Sequence, residues 1–265
     1  MASAERPPVA LGLASSLLLL YIALPLAALV FAFPPAELAA RLASPMALQA
    51  LWLSVRTTLV ATALAAVLGT PLAYLLARYS FRGRDVLDTV VDLPITIPPV
   101  VAGVALLLAF GRRGLLGRHL EVLGVSVAFT TVAVVMAQLL IASPFFVKAA
   151  RAGFETVDTR LEAAARTLGA SPWRVFWTVT VPLARPALVS GLVLAWARAL
   201  SEFGATMMFA GNFPGRTQTL TLAVMTALES DLQTAVAVSA VSLGLALSAL
   251  VAAKALAARW SVPRA

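Results

Sequence analysis

Thr159-Arg160-Leu161-Glu162-Ala163-Ala164-Ala165-Arg166-Thr167-Leu168-Gly169-Ala170-Ser171-Pro172 is the stretch on which the fold of this chain turns. Thr159 followed three residues later by Glu162 has capping-box spacing: the hydroxyl caps free amides while the carboxylate reaches back. A short helix is expected to run on through Ala163, Ala164, Ala165 and Leu168. Gly169 stands where a helix end favours a left-handed residue. Ser171-Pro172 then restarts a helix, with Ser171 as N-cap and Pro172 at its first position. Pro182 and Pro186 punctuate the entry to the next apolar stretch. The whole segment, about 148–186, is too long for a plain connector and too well signalled for disorder.

On either side of it the chain is oily. Hydrophobic residues make up 61% of its 265 residues, charged residues 12%, and mean hydropathy is +0.93. Soluble domains carry about a quarter charged residues, so lipid is the solvent that this composition requires. Six stretches reach the roughly 20 residues that cross a bilayer: 9–33, 51–77, 89–110, 125–147, 187–210 and 233–256. The expected fold is therefore all-α and transmembrane, with about six spans in one domain over 1–265. Its first stretch exceeds the usual signal-peptide core and reads as a retained helix. The third holds Pro94, Pro98 and Pro99 and must kink or break, with Asp92 read as the cap of a half-helix.

Cationic residues orient these spans. With the N-terminus inside, only Arg41, Arg112, Arg113, Arg118 and Arg216 of the 20 Lys and Arg fall outside. Arg56 and Arg198 lie within spans, Arg56 near enough to an end to snorkel. The net charge of +8 is thus a topological and lipid-headgroup signal. No basic tract interleaved with aromatics points to nucleic acid. Cysteine is absent and His119 is the sole histidine, which excludes thiolate chemistry and histidine-built metal clusters. Lys148 and Lys254 are the only lysines and neither follows a glycine, so no Walker A loop is present.

Inside the fifth stretch, Arg198 and Glu202 are four residues apart and are expected to pair on one helix face. Ionisable groups at that depth cost several kcal/mol unless paired or wetted, and they commonly face a bundle interior or pathway. Ser201 and Thr206 are candidates to line the same face. The reading is either a translocation route or an ion pair that pins helices together.

Glu162-Ala163-Ala164, with Gly169 seven residues after the glutamate and Val181-Pro182-Leu183 beyond, resembles the EAA loop of ABC importer permeases. Trp196-Ala197-Arg198, Ser201-Glu202-Phe203-Gly204-Ala205-Thr206 and Ala210-Gly211-Asn212-Phe213-Pro214-Gly215-Arg216-Thr217-Gln218-Thr219 are similar to molybdate permeases. The 92–103 stretch and Phe110-Gly111-Arg112-Arg113-Gly114-Leu115-Leu116-Gly117 carry the same likeness. Sulfate/thiosulfate and tungstate permeases share the Glu202-Phe203-Gly204 core. Thr221 and Met225 depart from the family, whose members tend to carry a proline and a tyrosine there.

This resemblance implies a type I ABC importer permease fold in a bacterial or archaeal cell membrane. It also implies a homodimer, two separate ATPase subunits that bind ATP and Mg, and an extracytoplasmic oxyanion-binding protein. Glu162, Ala163, Ala164, Leu168, Gly169 and Ala170 would form the coupling helix that docks on the ATPase. Arg198, Ser201, Glu202 and Thr206 would border the pathway or gate. No catalytic residue and no cofactor are expected in this chain. The rival reading is an ion-coupled secondary transporter using Asp92 and Glu202, which leaves the ordered 159–182 loop unexplained.

Overall fold

The computed structural model describes residues 9–32, 34, 40 and 43–260. Twelve α-helices carry the described chain: α1 Val9–Val30, α2 Pro45–Arg78, α3 Arg84–Thr96, α4 Pro99–Phe110, α5 Gly117–Val122, α6 Thr131–Thr156 and α7 Thr159–Thr167 come first. After them come α8 Pro172–Val175, α9 Val181–Leu200, α10 Gly204–Ala210, α11 Leu220–Ser230 and α12 Leu232–Trp260. A π-helical turn, Phe176–Thr180, joins α8 to α9, so one continuous rod runs from Pro172 to Leu200.

α1, α2, α6 and the α8–α9 rod are each long and apolar enough to cross a membrane. The expected third span is α3 and α4 together, bent by 116° where Pro98 and Pro99 interrupt the backbone. At 1.5 Å per residue α4 is about 18 Å long, too short to cross alone. α12 forms where the sixth span is expected, although its described apolar run, Leu232–Ser248, is shorter than the others.

α6 is the central post. It packs against α2 and α9 around Phe146, Val147, Phe154 and Leu76, all essentially buried. Small residues set the spacing, as they do where lipid removes the hydrophobic drive for helix association. A Cβ on Gly153 would lie 2.4 Å from the Ala187 Cβ, and one on Gly103 would lie 2.8 Å from the Ala205 backbone. Gly103 thus fixes how closely α4 approaches α10. Gly103→Ala is expected to lower stability by about 1–3 kcal/mol, the usual range for overpacking. A detergent-solubilised variant melting with the wild type would contradict that contact.

Threonine hydroxyls inside α2 are satisfied locally, as the absence of water demands. Thr57, Thr58 and Thr62 donate to the carbonyls of Leu53, Ser54 and Thr58 at 2.9, 2.7 and 2.7 Å. α3 is tied to α6 by charge: Lys148 meets Asp92 at 2.9 Å and Arg151 meets Asp88 at 2.6 Å. Asp92 therefore sits inside α3 as half of an ion pair, not at a helix start as a cap. Its spacing from Pro94 suggested a cap, but the helix passes through that proline and breaks only at Ile97-Pro98.

Pro182 and Pro186 also fail to break the rod. Pro182 has no N–H to offer, and the π turn before it absorbs the loss: Val181 N–H reaches five residues back to the Phe176 carbonyl. The fifth span accordingly begins far earlier than 187 and ends at Leu200, not 210.

Candidate functional site

α7 is a compact knob at the end of the molecule where α2 finishes and α6 turns over. Its N-cap is Asp158, whose carboxylate accepts from Arg160 N–H at 2.9 Å. Thr159 is the first helical residue, and Glu162 does not reach back, so the expected capping box is not formed. Asp is the stronger cap of two adjacent candidates, which shifts the start by one residue. Glu162 turns inward instead. It is 4% exposed, accepts from Arg78 Nη2 at 3.0 Å, and accepts from Thr180 Oγ1 at 2.8 Å on the π turn. Arg78 Nη2 also donates to the Val157 carbonyl at 2.9 Å.

One carboxylate thus ties three elements together: the foot of α2, the coupling-loop helix and the base of the α8–α9 rod. Its partners lie 84 and 18 residues away along the chain. With Glu162 turned in, the rest of the knob's surface is open: Ala163, Ala164 and Gly169 are exposed and Leu168 is 88% exposed. Ala170 is half-buried. The knob closes as expected at Gly169, whose φ is +85°. Ala170 N–H reaches the Ala165 carbonyl at 3.1 Å and Gly169 N–H the Arg166 carbonyl at 2.9 Å. That pair of bonds is the Schellman arrangement. Ser171 caps α8 by accepting from Arg174 N–H at 3.3 Å, with Pro172 in its first turn.

A second polar site lies at the far end of the same rod. α9 stops at Leu200, Ser201 caps its C-terminus, and α10 restarts at Gly204. Glu202 is in the break and fully buried. Its Oε2 lies 3.1 Å from Arg198 Nη2, while its Oε1 accepts from Ala205 N–H at 2.7 Å. The pair expected from i,i+4 spacing is present, but Glu202 is not on the Arg198 helix: it caps the next one. Arg198 remains about a quarter exposed, and its Nη1 donates to Ser201 Oγ at 3.4 Å. Ser201 is exposed beside it. Thr206 is fully buried in α10, so the structure sets it among packed neighbours and not on the open Arg198–Ser201 face.

Sequence reading passed over the polar seal behind this break. Thr221 Oγ1 donates to the Glu202 carbonyl at 2.8 Å, and Ser54 Oγ accepts from Leu220 N–H at 2.7 Å. Thr226 Oγ1 accepts from both Asn212 Nδ2 and Gln218 Nε2, at 2.9 and 3.1 Å. The 211–219 segment is thereby held against α2 and α11 with Thr217, Gln218 and Thr219 buried. A cluster of threonines in an otherwise apolar region was the available signal.

Residues 69–264 match the family described as binding-protein-dependent transport system inner membrane component. This chain belongs to that family. The permease is 45% identical over 223 residues to the molybdenum transport system permease protein ModB of Mycobacterium tuberculosis, covering 83% of this chain and 84% of the relative. Against ModB of Escherichia coli K12 it is 44% identical over 183 residues, 69% of this chain and 80% of the other. A probable molybdenum ABC transporter permease protein of Haloferax volcanii is 42% identical over 245 residues, with 92% and 88% coverage. In three dimensions the permease resembles a chain of a bacterial ABC transporter that imports alginate, at a TM-score of 0.75, 17% identity and 96% coverage of both chains. A chain of the methionine ABC transporter MetNI in inward-facing form superposes at a TM-score of 0.63, with 16% identity, 82% coverage of this chain and 97% of the other. The fold is therefore the ABC importer permease fold, and the chain is a multi-pass inner membrane protein.

Proposed function

We propose that this permease is the translocation subunit of an ATP-driven importer of molybdate, with tungstate as the close chemical relative. It acts as a homodimer, with separate ATPase subunits that hold ATP and Mg and an extracytoplasmic oxyanion-binding protein. Identity of 44–45% to permeases named for molybdenum transport supports the substrate. The observation that carries the coupling role is the inverted α7: a capped, closed knob with its carboxylate buried and its Ala163-Ala164-Leu168 surface bare.

ATP-driven closure of the partner subunits pulls on α7. Because Glu162 joins α7 to Arg78 and Thr180, the pull reaches α2 and the rod without passing through a flexible link. The rod is 29 residues long, roughly 43 Å, and ends at the Glu202 break. There the Arg198–Glu202 pair and the α4–α10 contact stand beside the route, where a rod movement alters their separation. Alternating access of this kind needs two packed states, and the break supplies the joint between them.

Reconstitution tests both halves of the reading. The chain, its ATPase and its binding protein are placed in proteoliposomes, and ATP hydrolysis is followed with molybdate, tungstate and sulfate. Molybdate or tungstate is expected to stimulate hydrolysis and sulfate is not. Leu168→Asp, at a side chain 88% exposed, is expected to leave the fold intact and weaken ATPase docking about tenfold, as loss of one buried Leu contact implies. Stimulation by sulfate alone would redirect the substrate to sulfate/thiosulfate. Normal docking by Leu168→Asp would remove α7 from the interface.

A further inference from the structure

Beside the α7 knob the surface carries two adjoining recesses of opposite character. One is a groove of about 690 Å³ between α2 and α8, walled by Val67, Pro71, Leu75, Phe176 and Trp177 with Trp173 at its side. The other is a cleft of about 550 Å³ between the end of α2 and α7, where Arg78, Arg160 and Arg166 converge. Tyr74, Tyr79 and Arg166 line both, so the oily groove and the basic cleft adjoin across these three side chains. Arg78 is neutralised by Glu162. Arg160 and Arg166 make no ion pair among the described residues, so the cleft keeps two unspent cations.

We propose that groove and cleft together hold one anionic phospholipid of the cytoplasmic leaflet. Its acyl chains lie in the α2–α8 groove and its phosphate sits at Arg166 and Arg160. Dimensions agree with this occupant. Along α2 the groove runs from Ala66 to Tyr79, about 20 Å at 1.5 Å per residue, against about 15 Å of hydrocarbon in one leaflet. So do the side chains at the junction. Trp173, Trp177 and Tyr79 are all more than half exposed, and such amphipathic rings collect at the headgroup level. A protein segment would find cations only at one end of an apolar trough, whereas a phospholipid has that polarity built in. Arg166 belongs to α7 and Trp177 to the π turn that holds Thr180, so the lipid braces the knob against the rod.

Native mass spectrometry of the purified full-length chain in detergent tests the site, with phosphatidylglycerol and phosphatidylcholine of identical acyl chains and inorganic phosphate as separate probes. One phosphatidylglycerol per chain is expected to be retained, about fivefold more tightly per cation supplied than phosphatidylcholine. Inorganic phosphate is not expected to displace it. Arg166→Gln is expected to remove about fivefold of the preference and Arg166→Lys to restore it. Trp177→Ala is expected to weaken both lipids alike, and circular dichroism confirms that each variant keeps its helices. Equal retention of the two lipids overturns the proposal, as does an unchanged preference in Arg166→Gln. Displacement by inorganic phosphate makes the cleft a free-anion site and overturns the lipid reading. Release of phosphatidylglycerol when ATPase subunits are added assigns the cleft to the protein interface and overturns it as well.

Discussion

Glu202→Ala is expected to cost about 3–5 kcal/mol of stability, because it strands Arg198 inside the membrane with no counter-charge. The same change removes the acceptor for Ala205 N–H and leaves the start of α10 uncapped. Glu202→Gln separates the two effects. An amide oxygen can still accept from Ala205, so the cap survives while the charge does not, and a smaller loss is expected. Arg198→Met combined with Glu202→Gln is expected to recover part of the loss, since no lone charge remains. Apparent melting midpoints in detergent and molybdate uptake in proteoliposomes measure both consequences. If Glu202→Ala melts with the wild type, the pair is solvated in the resting protein and the break at 201–203 is not held by it.

That break shows what the sequence exposed and what it hid. The Arg198–Glu202 pairing is a four-residue relation and was legible from spacing alone. The helix end between them was not. Hydropathy registers only that 187–210 is oily, and Ser201-Glu202-Phe203 contains no proline or glycine. The break became visible once Glu202 was seen to bond the amide three residues ahead and Thr221 to bond its carbonyl. Local capping chemistry was read correctly at Gly169, Ser171 and Pro172, whereas the equally local Thr159–Glu162 box failed because Glu162 has distant partners in Arg78 and Thr180. Pro182 and Pro186 misled as well. Proline's cost in a helix depends on whether the freed carbonyls find partners, and the π turn that solves this at Pro182 leaves no mark in composition.

A buried acid therefore stands against each end of a single rod, and both acids hold helices together where their polarity alone would suggest ligand contact. Glu162 clamps the foot of the rod to α2 and α7, and Glu202 closes its tip onto α10. Between them Gly153 and Gly191 let α6 and α9 approach closely. A continuous rod clamped at both ends moves as a unit, which is what coupling over roughly 43 Å requires.

Glu162→Ala is expected to lower stability by about 3–5 kcal/mol and to uncouple ATP hydrolysis from transport in the same stroke. Arg78, only 11% exposed along its side chain, would keep the Val157 carbonyl but lose its counter-ion. Thr180 would lose its acceptor beside it. α7 would then keep its packing and chain connection to the rod but lose its hydrogen bond to Thr180, so the 157–171 loop is expected to become more sensitive to limited proteolysis. Arg78→Met is expected to be damaging for the mirror reason, a buried carboxylate left with only the Thr180 hydroxyl. A double change, Glu162→Met with Arg78→Met, is expected to be less harmful than the sum, with a non-additive part of about 0.5–3 kcal/mol. Its coupling is expected to stay impaired even where its stability recovers, since methionines fill the space without tying α7 to Thr180. Strict additivity in the double mutant, or full molybdate-stimulated hydrolysis in Glu162→Ala, would show that force reaches the rod by the Ala170–Pro172 backbone instead.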